Sequence, residues 1–223
     1  MDHGNMQKGN IPEYDFDIIE MIKEGFHRIE GVKQPFVIAF LIYIAVAVVT
    51  QTFLSFFFPS PPPPSDPNLL NQQIVTILSY PVLMPLMAGI IMLAVNYSRG
   101  ERLDPKSIFN YYHLVGKLSL AAILIYILTV IGFILFVLPG IYLTVAYIFV
   151  VPLIVDKNLE VWDAMELSRK VVTKNWFKIF GLILLLALIF VLGILSFGIG
   201  LIWAIPLTFV TLYGLLYPMI FDR

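Results

Sequence analysis

Six runs of mainly apolar residues divide this sequence, and most of them are long enough to cross a lipid bilayer as a helix. The first run, from Phe36 to Phe58, would extend roughly 35 Å as an α-helix, and the hydrocarbon core of a bilayer is about 30 Å thick. The other five runs are approximately Ile74–Val95, Leu118–Leu138, Ile141–Val155, Phe177–Leu195 and Leu201–Ile220. The sequence therefore predicts an all-α integral membrane protein with six transmembrane helices.

The composition agrees with a lipid environment. Hydrophobic residues make up 59% of the 223-residue chain and charged residues only 13%, whereas about a quarter of the residues of a soluble protein are charged. The net charge is −1, which excludes a global basic field for nucleic acid. Cysteine is absent, which excludes disulfides and thiolate ligands, and the three histidines show no paired metal-ligand spacing. We therefore expect no cofactor and no metal.

Three amphipathic segments precede pairs of these runs. Residues 14–30 repeat apolar positions at intervals of three and four. The second segment follows Asp104 and Pro105, an N-cap with proline at the first helical position, and Asn158 would cap the third. Their apolar residues are Phe16, Ile19, Ile22, Phe26 and Ile29, then Ile108, Phe109 and Tyr112, then Val161, Trp162, Met165 and Val172. We predict three interfacial helices that lie on the membrane through these stripes, each followed by a two-span hairpin.

This pattern divides the chain into three repeat units, 14–98, 104–157 and 158–223, after a mobile cytoplasmic tail, 1–13. The strongest internal match pairs VVPLIVDK, 150–157, with LYPMIFDR, 216–223, while the second span ends differently. Between the first two spans, the proline-rich segment 59–68 lacks backbone donors and is predicted to be a solvated loop. Pro139 and Gly140 are predicted to form the tight turn between spans three and four.

The basic residues predict the orientation. All fourteen lysines and arginines fall on one side of the six-span arrangement, and such residues are enriched in cytoplasmic segments. The sequence therefore predicts a multi-pass protein with both termini in the cytoplasm.

A series of small and polar residues carries a resemblance to a known family. In chain order these residues are Pro139, Gly140, Ile141, Tyr142, Pro152, Asp156, Ala164, Ser168, Asn175 and Trp176. The pattern resembles the YciC-type proteins of the bacterial inner membrane, and it is similar to the membrane domain fused to some glycerophosphodiester phosphodiesterases. The resemblance covers roughly residues 133–218. It implies a six-span topology in a bacterial cytoplasmic membrane, and it implies no activity, because the phosphodiesterase domain is absent.

Two aspartates, Asp156 and Asp222, occupy repeat-related positions at the cytoplasmic ends of spans four and six. Together with Lys157 and Arg223 they form the candidate site, which would hold a lipid headgroup or an ion if the side chains converge. The simpler interpretation, which we favour, is that they are boundary charges at the water interface. No ionisable residue lies in the interior of a predicted span, which argues against proton-coupled transport and intramembrane aspartyl proteolysis.

Prolines within spans predict kinks, because each proline leaves a backbone carbonyl without its amide partner. The residues concerned are Pro81, Pro85, Pro152, Pro206 and Pro218. The kinks could enclose an apolar, lipid-sized pocket between hairpins, or they could be static features of the packing.

Three functions compete. The first is a non-enzymatic scaffold or accessory subunit that binds membrane lipid, a membrane-protein partner or a second copy of itself. The second is a transporter or scramblase of a lipid or other apolar molecule, and the third is an interfacial enzyme that uses Asp156, Asp222 or His113. The first is favoured, because the sequence lacks a catalytic constellation.

Overall fold

The structure is a computed structural model that describes residues 13–59 and 69–222. It is 84% helical, and no strand occurs in the described residues. The α-helices are α1 Ile18–Arg28, α2 Lys33–Phe57, α3 Leu69–Ser98, α4 Val115–Leu135, α5 Val137–Ala146, α6 Val150–Asp156, α7 Val161–Lys174, α8 Trp176–Leu195, α9 Leu201–Phe209 and α10 Tyr217–Phe221. A 3₁₀ helix, Pro105–Leu114, precedes α4, and a π-helical segment, Val210–Leu216, joins α9 to α10.

Six helical stretches are long and apolar enough to cross a membrane, which confirms the predicted all-α, six-span class. They are Lys33–Phe57, Asn71–Ser98, Pro105–Leu135, Val137–Asp156, Trp176–Leu195 and Leu201–Phe221. Consecutive spans touch, since α2 contacts α3, α4 contacts α5 and α8 contacts α9. The core between them includes Phe36, Leu86, Phe149, Leu207 and Tyr217, all fully buried.

The turn between spans three and four lies earlier than the sequence predicts. The helix breaks at Phe136, whose backbone is extended, and Pro139 and Gly140 already belong to the first turn of α5. Proline fits there because the first amides of a helix have no intrahelical acceptor. Gly140 packs on α4, and a Cβ added at Gly132 would lie 3.1 Å from its Cα. The two glycines therefore let α5 fold back tightly on α4.

The fourth and sixth spans are not continuous α-helices. Span four is interrupted at 147–149, between α5 and α6, and Pro152 lies in the first turn of α6. Span six contains the π-helical segment directly before Pro218, which is the second residue of α10. A third proline, Pro206, lies inside α9. Prolines and π-segments both disrupt regular helix bonding, so the predicted kinks at Pro152 and Pro218 coincide with real interruptions.

The caps of the amphipathic segments agree only in part with the predictions. The Asp104 carboxylate accepts a hydrogen bond from the Lys106 amide, and Pro105 begins the 3₁₀ helix, as predicted. Helix α1 starts at Ile18, after an Asp17 cap, so residues 14–17 are not helical. Asn158 is not the cap of α7, because it has a positive φ of 49° and the cap position is Glu160.

Much of the amphipathic surface packs on the protein itself. On α7, Val161, Met165 and Val172 are buried, whereas Trp162 is 67% exposed, and this helix contacts α4, α5, α6 and α8. On α1, Gly25 is buried against the last span, where a Cβ would lie 2.3 Å from the Thr211 hydroxyl. Part of each of these two predicted apolar stripes is therefore buried against other helices of the bundle and does not face lipid. Residues 1–12 of the predicted tail and 60–68 of the predicted loop lie outside the described residues.

Candidate functional site

Two acids and two bases meet where three helices end. Asp156 is the last residue of α6 and Lys157 follows it, Asp222 follows α10, and Arg99 follows α3. We call these four residues the charged cluster. Each helix end brings its side chain to the same place because α3 contacts both α6 and α10.

The Arg99 guanidinium binds both aspartates at once. Its Nη1 and Nη2 donate to the two carboxylate oxygens of Asp156 at 2.6 and 2.9 Å. Its Nε and Nη2 donate to the two oxygens of Asp222 at 2.9 and 2.8 Å. Paired N–H donors of this kind match a carboxylate better than a single point charge does. Arg99 thus joins the ends of spans two, four and six.

Lys157 and Tyr217 complete the arrangement. The Lys157 ammonium lies 2.9 Å from Asp222 and 3.3 Å from Asp156. The Tyr217 hydroxyl donates to Asp156 Oδ2 at 2.9 Å from a fully buried ring. Every carboxylate oxygen of the charged cluster therefore accepts at least one hydrogen bond.

The charged cluster is close to neutral as a unit. Two cations balance two anions, and only 9% of the Asp156 side chain and 30% of the Arg99 side chain are exposed. The hydrogen bond to Asp156 raises the pKa of Arg99, partial burial opposes this, and the bond to Asp222 adds to the rise. The guanidinium thus stays charged, and the aspartates are engaged by cations rather than free to act as a general base or to bind a cation.

The sequence identified three of the four members. The predicted residues Asp156, Lys157 and Asp222 do converge, while Arg223 lies outside the described residues. Arg99 and Tyr217 were not predicted as members. The signal that could have found Arg99 is its position, because it follows the end of span two just as Asp156 and Asp222 lie at the ends of spans four and six. Span two therefore supplies the cation that binds the aspartates at the ends of spans four and six.

A buried serine holds the interruption of span four together. Ser168 of α7 is fully buried, and its hydroxyl donates to the Ala146 carbonyl at 2.7 Å and accepts from the Phe149 amide at 3.3 Å. The carbonyl of Ile148, four residues before Pro152, accepts from the Tyr213 hydroxyl at 3.4 Å. Side chains from α7 and from span six therefore satisfy the backbone groups that the interruption frees.

The segment before α1 is fastened to the junction between α7 and α8. The buried Tyr14 hydroxyl donates to the Val171 carbonyl at 3.0 Å, and the Asn175 amide donates to the Tyr14 carbonyl at 2.5 Å. Lys178 pairs with Asp15. Burial raises the pKa of Tyr14 and the Asn175 contact lowers it by less, so the phenol stays protonated as a donor.

An open cleft of about 680 Å³ lies between α1 and the charged cluster. Its lining combines apolar side chains, among them Phe16, Met21 and Pro218, with the carboxylates of Asp17 and Glu20. Among residues 13–59 and 69–222, no group of three or more histidine, aspartate or glutamate side chains is arranged to hold a metal.

A comparison of the chain with models of protein families, with curated proteins and with solved structures finds no match. Its function is therefore argued from its own residues.

Proposed function

We propose that this protein is a non-catalytic, multi-pass membrane scaffold or accessory subunit that binds membrane lipid or a membrane-protein partner. The proposal includes the predicted orientation, with both termini cytoplasmic, and the bacterial inner membrane implied by the YciC-type resemblance. Two features of the bundle support the scaffold role. They are the exposed surface of α2 and the mutual neutralisation of the four residues in the charged cluster.

The observation that carries the proposal is the exposure of α2. Only 6% of the most apolar stretch of this span is buried inside the chain, against 67% for span six. Its outward side chains include Leu41, Val48, Val49 and Phe53, which are 58–68% exposed. Polar side chains, Gln51 and Thr52, are exposed on the same helix, and such groups associate helices within membranes by hydrogen bonding. A helix used so little by its own bundle is suited to contact lipid or another protein.

The charged cluster, at the ends of α3, α6 and α10, also supports a structural role for the protein. Arg99, Asp156, Lys157 and Asp222 neutralise one another, and breaking one partner of a shielded ion pair leaves a poorly solvated charge. Such a cluster acts as a clamp that holds the bundle in one arrangement. A scaffold needs a fixed arrangement of this kind.

A transporter or scramblase is the second candidate, and one observation favours it. Spans four and six are both interrupted, and they face each other through Phe149 with Tyr213 and Tyr217. Interrupted helices in corresponding repeats often mark transport sites. Here, however, the side chains of Ser168 and Tyr213 already bond the freed carbonyls of Ala146 and Ile148, so we place this function second.

Native mass spectrometry of protein extracted gently from its own membrane tests the proposal. We expect a lipid or a second protein to be retained with the wild type, and to be lost from Val48→Trp, a bulky change on the exposed face of α2. Val191→Trp on α8 is the matched control, because both valines are about half exposed or more, 58% and 49%. A bare protein in every sample would contradict the scaffold, and lipid movement across vesicles containing purified protein would favour the second candidate.

A further inference from the structure

The turns at the opposite end of the bundle from the charged cluster are unusually apolar. We call residues 133–138, where α4 ends and α5 begins, the first tip, and residues 195–199, from the last residue of α8 into the turn before α9, the second tip. The first tip reads FILFVL and the second LSFGI, without a charged residue. Phe136 is 76% exposed and Phe197 is 98% exposed. A loop in water is ordinarily polar, so these tips call for a different surrounding.

The charged cluster joins one end of spans two, four and six, so the lengths of these three spans can be compared from a common starting point. Spans two, four and six all have one end tied to Arg99. From there α3 extends over 30 residues, whereas Val137–Asp156 has 20 and Leu201–Phe221 has 21. At about 1.5 Å per residue these lengths are roughly 45, 30 and 31 Å. The two tips therefore end about 14 Å short of the outer end of α3.

The thickness of the bilayer then places the tips. Four charged side chains are costly inside hydrocarbon, so we place the partly exposed cluster outside the hydrocarbon core, which is about 30 Å thick. A span that starts outside the core and extends roughly 30 Å ends no further than the far edge of the hydrocarbon. Span two, at about 45 Å, emerges on the far side, and the predicted loop 59–68 follows from the same end.

Much of the backbone of the second tip is hydrogen-bonded within the tip and to the end of α8. The Gly198 and Ile199 amides donate to the carbonyls of Ile194 and Ser196 at 3.1 and 3.2 Å. The Ser196 hydroxyl accepts from the Gly200 amide at 3.0 Å and donates to the Gly193 carbonyl at 2.8 Å. Unsatisfied backbone groups are costly in lipid, so this internal bonding matches a turn without water.

Close glycine contacts make these compact turns feasible. A Cβ added at Gly200 would lie 2.7 Å from the Cα of Gly193, and one added at Gly132 would lie 3.1 Å from the Cα of Gly140. The helices of each turn thus approach closely with almost no connecting loop. The first tip has only Phe136 between its two helices, and Pro139 has no amide that would need an acceptor.

We propose that both tips are embedded in the membrane and that their exposed phenylalanines contact the acyl chains of the far leaflet. Only the α2/α3 end of the protein then reaches water on that side. A soluble partner on that face meets this end alone. The proposal does not depend on the scaffold function, since it concerns how the chain sits in lipid.

Single cysteines test the proposal, since the chain has none of its own. Phe136→Cys and Phe197→Cys report on the tips. Asp163→Cys, at an exposed position of α7, reports on water at the charged end, and Ser65→Cys reports on the predicted loop. Each purified variant is reconstituted in phospholipid vesicles that carry a membrane-impermeant maleimide on both sides. Maleimides react with the thiolate, which forms in water. We expect both tips to be labelled at least about tenfold more slowly than Asp163→Cys and Ser65→Cys.

Two outcomes would overturn the proposal. If a tip cysteine is labelled within about twofold of the Asp163→Cys rate, that tip lies in water. If it is labelled quickly in vesicles of purified protein but slowly in the native membrane, a partner protein covers it rather than lipid. Labelling after denaturation in sodium dodecyl sulfate shows that each thiol is intact. Because the two tips are independent, misfolding of one variant leaves the other as a test.

Discussion

The first and the last span use their apolar surfaces in opposite ways. Span one, α2, is the more apolar of the two, yet only 6% of its core stretch is buried, while 67% of span six is buried. The same trend holds across the bundle, because the three most apolar spans are at most 28% buried and the other three at least 44%. In lipid, apolar side chains gain little from burial in protein, and helices associate through small and polar residues. Apolarity in this chain therefore indicates contact with lipid rather than a place in the core.

The most direct way to break this comparison is to remove one large side chain from each span. Leu207→Ala in α9, where the leucine side chain is fully buried, should lower the free energy of unfolding by about 3 kcal/mol, because it leaves a cavity. Phe56→Ala in α2, where the ring is 83% exposed, should lower it by less than about 0.5 kcal/mol. Chemical unfolding in detergent micelles measures both. Equal losses would show that α2 is packed as tightly as span six.

The clamp that holds span six can be tested through its cation. Arg99→Ala leaves two aspartates with only Lys157 between them, so we expect a loss of about 2 kcal/mol, below the range for fully buried pairs because the cluster is partly exposed. Arg102→Ala, three residues further on and exposed, is the matched control and should change little. Hydrogen exchange should show faster opening of α10 than of α2. An unchanged α10 would mean that the cluster is incidental.

The close contact between α1 and span six tests the tight packing of the last span at a single residue. An alanine at Gly25 would place its Cβ 2.3 Å from the Thr211 hydroxyl, and overpacking of this kind costs about 1–2 kcal/mol. Gly116→Ala is the control, because nothing lies within 4 Å of its added Cβ. Combining Gly25→Ala with Thr211→Ala should restore part of the loss, since the clashing hydroxyl is gone. Without that rescue, the contact would not be the cause.

Two buried serines allow the contribution of a hydrogen bond to stability to be compared with the effect of burying an unpaired hydroxyl. Ser168→Ala removes the hydroxyl that bonds both sides of the interruption in span four, so we expect a loss of about 1 kcal/mol. The buried hydroxyl of Ser119 has no partner among the described residues, so Ser119→Ala should be neutral or stabilising. Thermal unfolding of both variants in one detergent gives the comparison. A larger loss for Ser119→Ala would contradict it.

The smallest effect concerns the exposed pair between Asp15 and Lys178. The hydrogen bond from Lys178, and then that from the Phe16 amide, lowers the pKa of Asp15. Because the folded pKa is the lower one, the stabilisation is present above the ordinary value and disappears as the pH falls through the folded value. Asp15→Asn should lower the Tm near neutral pH by no more than about 2 °C. The difference from wild type should vanish in acid, and a difference that persists there would point to another cause.

The sequence predicted the spans well and their partners poorly. The length of each apolar run identifies a span because the bilayer fixes that length. The aspartates at 156 and 222 stood out because the two matched segments, 150–157 and 216–223, place them alike. Arg99 could not be found in this way, since the end of span two has no counterpart of the matched segments 150–157 and 216–223. The apolar stripe of α7 predicts a buried face but not what buries it, so Val161 and Met165 were assigned to lipid although they pack on the bundle. The turn at Phe136 was missed because proline and glycine fit the first turn of a helix as well as a loop.

The position of Arg99 along the chain has a consequence for biosynthesis. Asp156 is made 57 residues after Arg99, and Asp222 is made 123 residues after it. When the ribosome has released span two, the guanidinium has neither of its aspartates and must be held by water or by lipid phosphate. The bundle can take its final form only after the last span has been inserted. Assembly of this protein is therefore completed after insertion rather than span by span.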